Sequence, residues 1–256
     1  MRVMSFNANG IRSAARKGFF EWFHQQNIDF LCIQETKAQR EQLEQDPTFF
    51  PEGYTCEYVD AVKKGYSGVA IYSRQKPMAI TTSLGFDTAD NEGRYVRFDY
   101  ENLSVVSLYL PSGTTGDVRQ TVKFDFLEKF EAHLRELKAQ GRECIICGDY
   151  NIVHKEIDIK NWRANQKNSG CLPEERAWLD TVFGPLGFVD AFRVKNQESE
   201  QYTWWSNRGQ ARANNVGWRI DYQVVTPGLA DCIVDVRIDR EPFFSDHAPL
   251  MIDYNL

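Results

Sequence analysis

The sequence predicts an α/β chain organised around antiparallel or mixed sheets, not a doubly wound parallel sheet. Three observations carry this. Short apolar segments outnumber the helical stripes, many of them are separated by short turns instead of helices, and the turn between residues 99 and 104 leaves no room for a parallel crossover. A hydrophobic fraction of 42% with 13% aromatic residues supplies a sizeable core. No Pro-, Gly- or Ser-rich linker and no block of like charge divides the 256 residues, so a single domain over 1–256 is expected.

Taken in order, Met1-Arg2-Val3-Met4-Ser5-Phe6 enters a strand at residues 3–6 where a secretory leader would carry a longer apolar core. Ala15, Phe19, Trp22 and Phe23 form a helical stripe over 13–26. Strands are expected at 30–33, 68–73, 95–100 and 104–110. Val122, Phe126, Phe130, Leu134 and Leu137 then repeat at helical spacing, predicting a long helix over 118–140. A strand at 143–147 precedes a third helix that starts at Pro173, with Glu174 and Glu175 in its first turn and Trp178, Leu179, Val182, Phe183 and Leu186 inward. Strands at 219–225, 234–238 and 250–254 complete the pattern.

No apolar segment approaches the ~20 residues of a membrane helix. The chain is therefore expected to be a soluble, cytoplasmic, bacterial-type protein, with no membrane contact and no obligatory protein partner. Six cysteines lie mostly inside apolar runs, which suits reduced core thiols better than a disulfide framework. Cys144 and Cys147 have redox-motif spacing, but three residues apart on a strand they face opposite ways, so a structural role is expected.

The formal net charge of −6 argues mildly against a chain coated for nucleic acid, yet the distribution matters more than the sum. Between positions 200 and 221 there is no acid, while Arg208, Arg212 and Arg219 alternate with Trp204, Trp205 and Trp218. Positive charge interleaved with aromatics suits a phosphate backbone and an exposed base or sugar. A second stretch carries Lys155, Lys160, Arg163 and Lys167 against Glu156 and Asp158.

Polar clusters recur at strand ends. Asn7-Ala8-Asn9-Gly10, Gln34-Glu35-Thr36-Lys37, Tyr109, Gly148-Asp149-Tyr150-Asn151, Asp221-Tyr222 and Ser245-Asp246-His247 each follow or precede an apolar run. Turn chemistry alone explains any one of them. If six meet at one edge of two packed sheets, the site is acidic and oxygen-rich and selects Mg²⁺ or Mn²⁺ over zinc, for which no Cys/His group has the spacing.

The ordered segments FNANGIR (from Phe6), IQETK (from Ile33), KKGYSGVAIYSR (from Lys63), SLYLPSG (from Ser107), CGDYNIVHKEID (from Cys147), VGWRIDYQ (from Val216) and FSDHAPL (from Phe244) closely resemble the exonuclease III family of abasic-site endonucleases. The resemblance runs from the first strand to the last. It implies a DNase I-like, four-layered α/β sandwich: two mixed, mostly antiparallel sheets packed face to face with helices outside. It also implies a Mg²⁺-dependent DNA-repair phosphodiesterase, Mn²⁺ serving as well, that acts on double-stranded DNA 5′ to abasic sites or at 3′ blocks.

By the same resemblance, Asp149 orients or deprotonates the water and is held by Asn151. His247 contacts the phosphate or transfers a proton, with Asp221 fixing its tautomer, and Tyr109 donates to a phosphate oxygen. Glu35 is the principal Mg²⁺ ligand with Asn7 and Asp246 nearby, and Asp149, Asn151 and His247 offer a second metal site. Trp204, Trp218 and Ile220 correspond to an apolar pocket for a sugar turned out of the helix, Arg208 to a residue bracing the duplex, and Asn168 and Ser169 to the loop beside it. Two departures stand out: Asn9 replaces an acid found in some members, and Trp204-Trp205 is bulkier than a Phe-Trp pair. The rival readings are a 3′→5′ exonuclease with little abasic incision, a phosphatase of small phosphate esters, and a catalytically silent DNA-binding protein.

Overall fold

Central strands covered on both faces read as continuous apolar runs, edge strands as broken ones. That contrast orders the two sheets of the computed structural model, which describes residues 1–256. The first contains β1 (Arg2–Asn7), β2 (Phe30–Gln34), β3 (Thr55–Val59), β4 (Val69–Ser73), β13 (Ile233–Ile238) and β14 (Leu250–Tyr254), in the order β13-β14-β1-β2-β4-β3. The second contains β5 (Ala79–Thr81), β6 (Tyr95–Asp99), β7 (Leu103–Tyr109), β8 (Glu143–Asp149), β9 (Val189–Asp190) and β12 (Asp221–Val225), in the order β5-β6-β7-β8-β12-β9. Only β1 with β2 and β7 with β8 run parallel. A ribbon of β10 (Trp204–Trp205) and β11 (Gly217–Trp218) stands apart. β2, β4 and β12 are buried throughout, whereas β5 and β13 on the edges are mostly exposed or half-buried.

The helices are α1 (Ile11–Arg16), α2 (Phe19–Gln25), α3 (Arg40–Leu43), α4 (Asp87–Asp90), α5 (Asp117–Ala139), α6 (Trp162–Asn165), α7 (Pro173–Phe183) and α8 (Ala191–Lys195). Four layers result. Phe19, Phe20 and Phe23 pack on Met4, Phe6 and Leu31 outside the first sheet; Val3, Cys32, Ile71, Val105, Ile145 and Ile252 fill the space between sheets; Phe126, Phe130, Leu134 and Leu179 cover Val106 and Ile146 outside the second. Cys144 faces the helices and Cys147 the inter-sheet core, and all six cysteines are free. No helix is long and apolar enough to cross a membrane.

Two expectations need correction. The helix over 13–26 is two helices, because Gly18 adopts the left-handed conformation (φ 86°) and turns the chain between Arg16 and Phe19. The strand expected from Arg219 begins at Asp221, the preceding Gly217 and Trp218 pairing with Trp205 and Trp204 instead. β3, β5 and the two-residue strands were not visible as patterns, since short or half-exposed edge strands carry little periodic signal.

Candidate active site

Sheet register assembles the site. Parallel pairing sets Tyr109 beside Asp149, and antiparallel pairing sets Asp149 opposite Asp221, so three strands of the second sheet end in one polar row. In the facing sheet Asn7 pairs with Gln34, which places Glu35 one step beyond. The segment entering β14 brings Asp246 and His247 alongside, through a bridge between Trp204 and His247.

The hydrogen bonds are directional. Asn7 Nδ2 donates to Glu35 Oε1 at 2.9 Å and to Asp149 Oδ2 at 2.8 Å, while its oxygen accepts the Asn9 N–H at 2.9 Å. The Asn151 N–H donates to Asp149 Oδ1 at 2.8 Å, and its side chain donates to the Leu110 carbonyl at 2.9 Å. β8 ends at Asp149 and does not continue to Asn151, which has φ 52°, so the contact to Asp149 is a turn. Asn9, Glu35 and Lys37 also have positive φ, so four strained residues gather where the polar strand ends meet. Lys37 pairs with Glu35 at 2.8 Å and also donates to Asn9, while Arg94, buried beneath Tyr109 with its guanidinium 4.6 Å from the ring, donates to the Tyr109 carbonyl.

His247 Nδ1 lies 2.8 Å from Asp221 Oδ2, and Nε2 lies 3.8 Å from Asp149 Oδ2. Burial opposes charge on this imidazole, but Asp221, Asp149 and Asp246 outweigh it and raise its pKa to about 10. Asp149 is pushed up to about 8, first by burial and then by the charge of Asp221. Desolvation also lifts the Tyr109 phenol well above its usual value, keeping it a donor.

The ligand atoms of Glu35, Asp149 and His247 gather within 4.8 Å of one another. Asp221 Oδ1 is buried without a partner. Two carboxylates, one imidazole and no thiol fit a hard divalent cation, whose charge would relieve the crowded acids. Asn7, Asn151 and Asp246, the other residues expected to bind metal, lie beside this group. Asn7 and Asn151 donate through Nδ2 to Glu35 and to the Leu110 carbonyl, and Asp246 accepts from Asn9 Nδ2 at 2.9 Å and from Trp204 Nε1 at 3.1 Å.

A cavity of about 1170 Å³ opens over the cluster. Its walls include Glu35, Tyr109, Asp149, Asn151, Asn168, Ser169, Trp204, Arg208, Trp218, Ile220, Asp246 and His247, leaving only Asn7 and Asp221 of the expected site behind the surface. Trp204 and Trp218 meet edge to face, centroids 5.9 Å apart, and with Ile220 make one apolar wall beside the charged floor. Arg208 is exposed at the rim.

The basic stretches divide differently from the sequence expectation. Arg219 is buried and neutralised by Asp158 at 2.8 Å and Asp190 at 2.7 Å, because its neighbours Trp218 and Ile220 face the cavity and turn it inward. Arg212 donates to the carbonyls of Ser245 and Arg240, and Lys155 and Lys160 pair with Asp180 and Glu200. The sequence reading missed Arg94 and Lys37, as well as Thr203, whose hydroxyl receives the N–H groups of Ile220 and Asp221 at 3.1 Å. Lys37 was visible in the IQETK segment, but Arg94 and Thr203 act through contacts distant in sequence.

The chain is similar to known proteins along its whole length. The model of the endonuclease/exonuclease/phosphatase family matches residues 4–247. An exodeoxyribonuclease of Bacillus subtilis is 38% identical over the full length of both chains. A DNA-(apurinic or apyrimidinic site) endonuclease of Dictyostelium discoideum is also 38% identical, over 100% of this chain and 71% of that protein. The solved structure of an AP endonuclease from Archaeoglobus fulgidus superposes with a TM-score of 0.90 at 28% identity, covering all of both chains. The chain belongs to the endonuclease/exonuclease/phosphatase family and, within it, to the exonuclease III group.

Proposed function

We propose that this protein is a Mg²⁺-dependent DNA-repair phosphodiesterase that cuts the backbone 5′ to abasic sites and also trims 3′ ends. The observation that carries the reading is the union, in one cavity, of the Glu35, Asp149 and His247 cluster with an apolar wall of Trp204, Trp218 and Ile220. A phosphatase of small esters needs the cluster but has no use for the wall. A nucleotide that lacks its base is the cheapest to turn out of a duplex, and its bare sugar is what such a wall accepts.

In this reading Asp149 receives a proton from the attacking water. Its orientation comes from the Asn7 amide and the Asn151 N–H. His247, fixed through Nδ1 by Asp221, has Nε2 directed toward Asp149, where it is placed in this reading to contact a phosphoryl oxygen. Tyr109, held from below by Arg94, donates to the phosphate. Mg²⁺ at Glu35 would neutralise charge on the phosphoryl group and lower the pKa of Asp149 toward that of a base at neutral pH.

The deciding experiment incubates the protein with a labelled duplex carrying one abasic analogue, in Mg²⁺ and in EDTA, and resolves products by length. A single Mg²⁺-dependent cut immediately 5′ to the analogue is expected. An intact analogue with a ladder growing inward from the 3′ end overturns abasic incision in favour of an exonuclease. Trp218→Ala is expected to lower kcat/KM for abasic duplex by about 10- to 100-fold, in line with the loss of one aromatic contact to DNA. Removal of a 3′ phosphate should change far less, and equal losses on both substrates contradict the pocket assignment.

A further inference from the structure

Behind the cavity wall lie two charges with no solvent access at all. Lys123 on α5 and Glu175 in the first turn of α7 have fully buried side chains, with Nζ 2.6 Å from Oε1. Removing two ions from water is costly, and their attraction offsets that cost only when geometry is good and every remaining hydrogen bond is made.

Here the remaining bonds reach the site from two directions. Lys123 Nζ also donates to the backbone carbonyl of Asn151 at 2.8 Å. Glu175 Oε1 accepts from Gln120 at 3.0 Å, while Oε2 accepts the N–H of Gly170 at 2.6 Å and of Leu172 at 3.1 Å. One ion pair therefore ties the turn at 149–151, which carries Asp149, to the loop at 168–172, which walls the cavity.

Gly170 marks how close the two segments come. It has φ 91°, and a Cβ added there lies 3.0 Å from both the Asn151 carbonyl and the Trp218 ring. Capping α7 requires only Oε2 of Glu175, and an apolar pair fills the same volume without desolvating charge. Neither accounts for the lysine.

We propose that Lys123 and Glu175 are positioning residues for phosphodiester cleavage. Their pair sets the distance between the Asp149 turn and the wall, so that a sugar seated on the wall presents its phosphodiester to Asp149. This rests on the function proposed above. The pair itself touches neither substrate nor metal.

The test uses the fold-sparing double variant Lys123→Met with Glu175→Gln, and Glu175→Gln alone as the second variant. Each is checked for melting like wild type. Kinetics on abasic duplex at saturating Mg²⁺ should show kcat down about 30- to 100-fold with KM within about threefold, the pattern of misplacement by a fraction of an ångström. Single and double variants should lose the same factor, because the pair acts as one unit. Independently of any substrate, amide exchange at Gly170 should accelerate at least about tenfold while the strand amides of Asp149 and Tyr222 stay protected.

Unchanged kcat in a variant that melts like wild type overturns the proposal. So does a rise confined to KM, retained protection at Gly170, or failure of both variants to fold, which assigns the pair to stability alone. If wild type leaves the abasic duplex whole, the proposed function fails, and the Gly170 exchange still decides whether the pair holds the wall.

Discussion

Asp149→Asn is expected to lower single-turnover incision of abasic duplex by about 10³- to 10⁴-fold, the scale of losing a general base. DNA affinity, measured by anisotropy in EDTA, should stay within about threefold of wild type, since Asp149 contributes negative charge at the cavity floor and no grip on the phosphate backbone. The substitution is nearly isosteric. The substituted side chain still offers one oxygen to the Asn151 N–H, but its new amide group turns a second donor toward Asn7 Nδ2 and His247 Nε2, both of which faced Oδ2. It accepts no proton from water. Retained turnover would remove Asp149 from the role of base and shift attention to the other acids of the site, Glu35, Asp221 and Asp246.

Asp158→Ala is expected to cost about 3 kcal/mol of stability at neutral pH, the lower end for breaking a buried ion pair from one side. Asp158 accepts from Arg219 at 2.8 Å and from Arg193 at 2.6 Å, and without it Arg219 keeps only Asp190. Burial works against the Asp158 carboxylate, yet the two guanidinium groups outweigh it and hold its pKa down to about 2. The folded state thus binds fewer protons than the unfolded state between pH 2 and pH 4. The contribution is complete above the unfolded value of about 3.9 and disappears as pH falls toward 2, roughly 2–3 kcal/mol in all. Urea unfolding at pH 7 and at pH 3 should therefore show a smaller pH dependence in the variant. A loss below about 1 kcal/mol at pH 7 would mean that Arg219 finds other partners.

The same network bears on activity. Arg219 lies between Trp218 and Ile220, so anchoring its guanidinium to Asp158 and Asp190 fixes the wall from behind. The lone cations that the sequence offered to DNA are thus of two kinds. Arg208 remains at the rim, whereas Arg219 is part of the scaffold.

Residue patterns announced most of the central strands and the long helix α5, because buried strands are continuous apolar runs and amphipathic helices keep a regular stripe. They misjudged the start of the chain, where the stripe through Ala15, Phe19 and Trp22 spans the break at Gly18. Ordered motifs carried the site further than periodicity did. Twelve of the fourteen residues named from the sequence line one cavity, although those residues come from positions 35 to 247.

By itself the sequence determined which strand ends bear acids, amides and one imidazole; their chemistry favoured a hard cation, and the resemblance of the ordered motifs added the phosphodiester substrate. Which of those groups face one another was decided only by tertiary structure. Register put Asp149 opposite Asp221, and packing of the two sheets put Glu35 within reach of both Asp149 and His247. Packing aimed the Asn7 amide at Glu35 and the Asn151 amide at the Leu110 carbonyl. Lys123 and Glu175, 52 positions apart, gave no sign of their pairing, because a buried charge is recognisable only when the fold brings its partner to it.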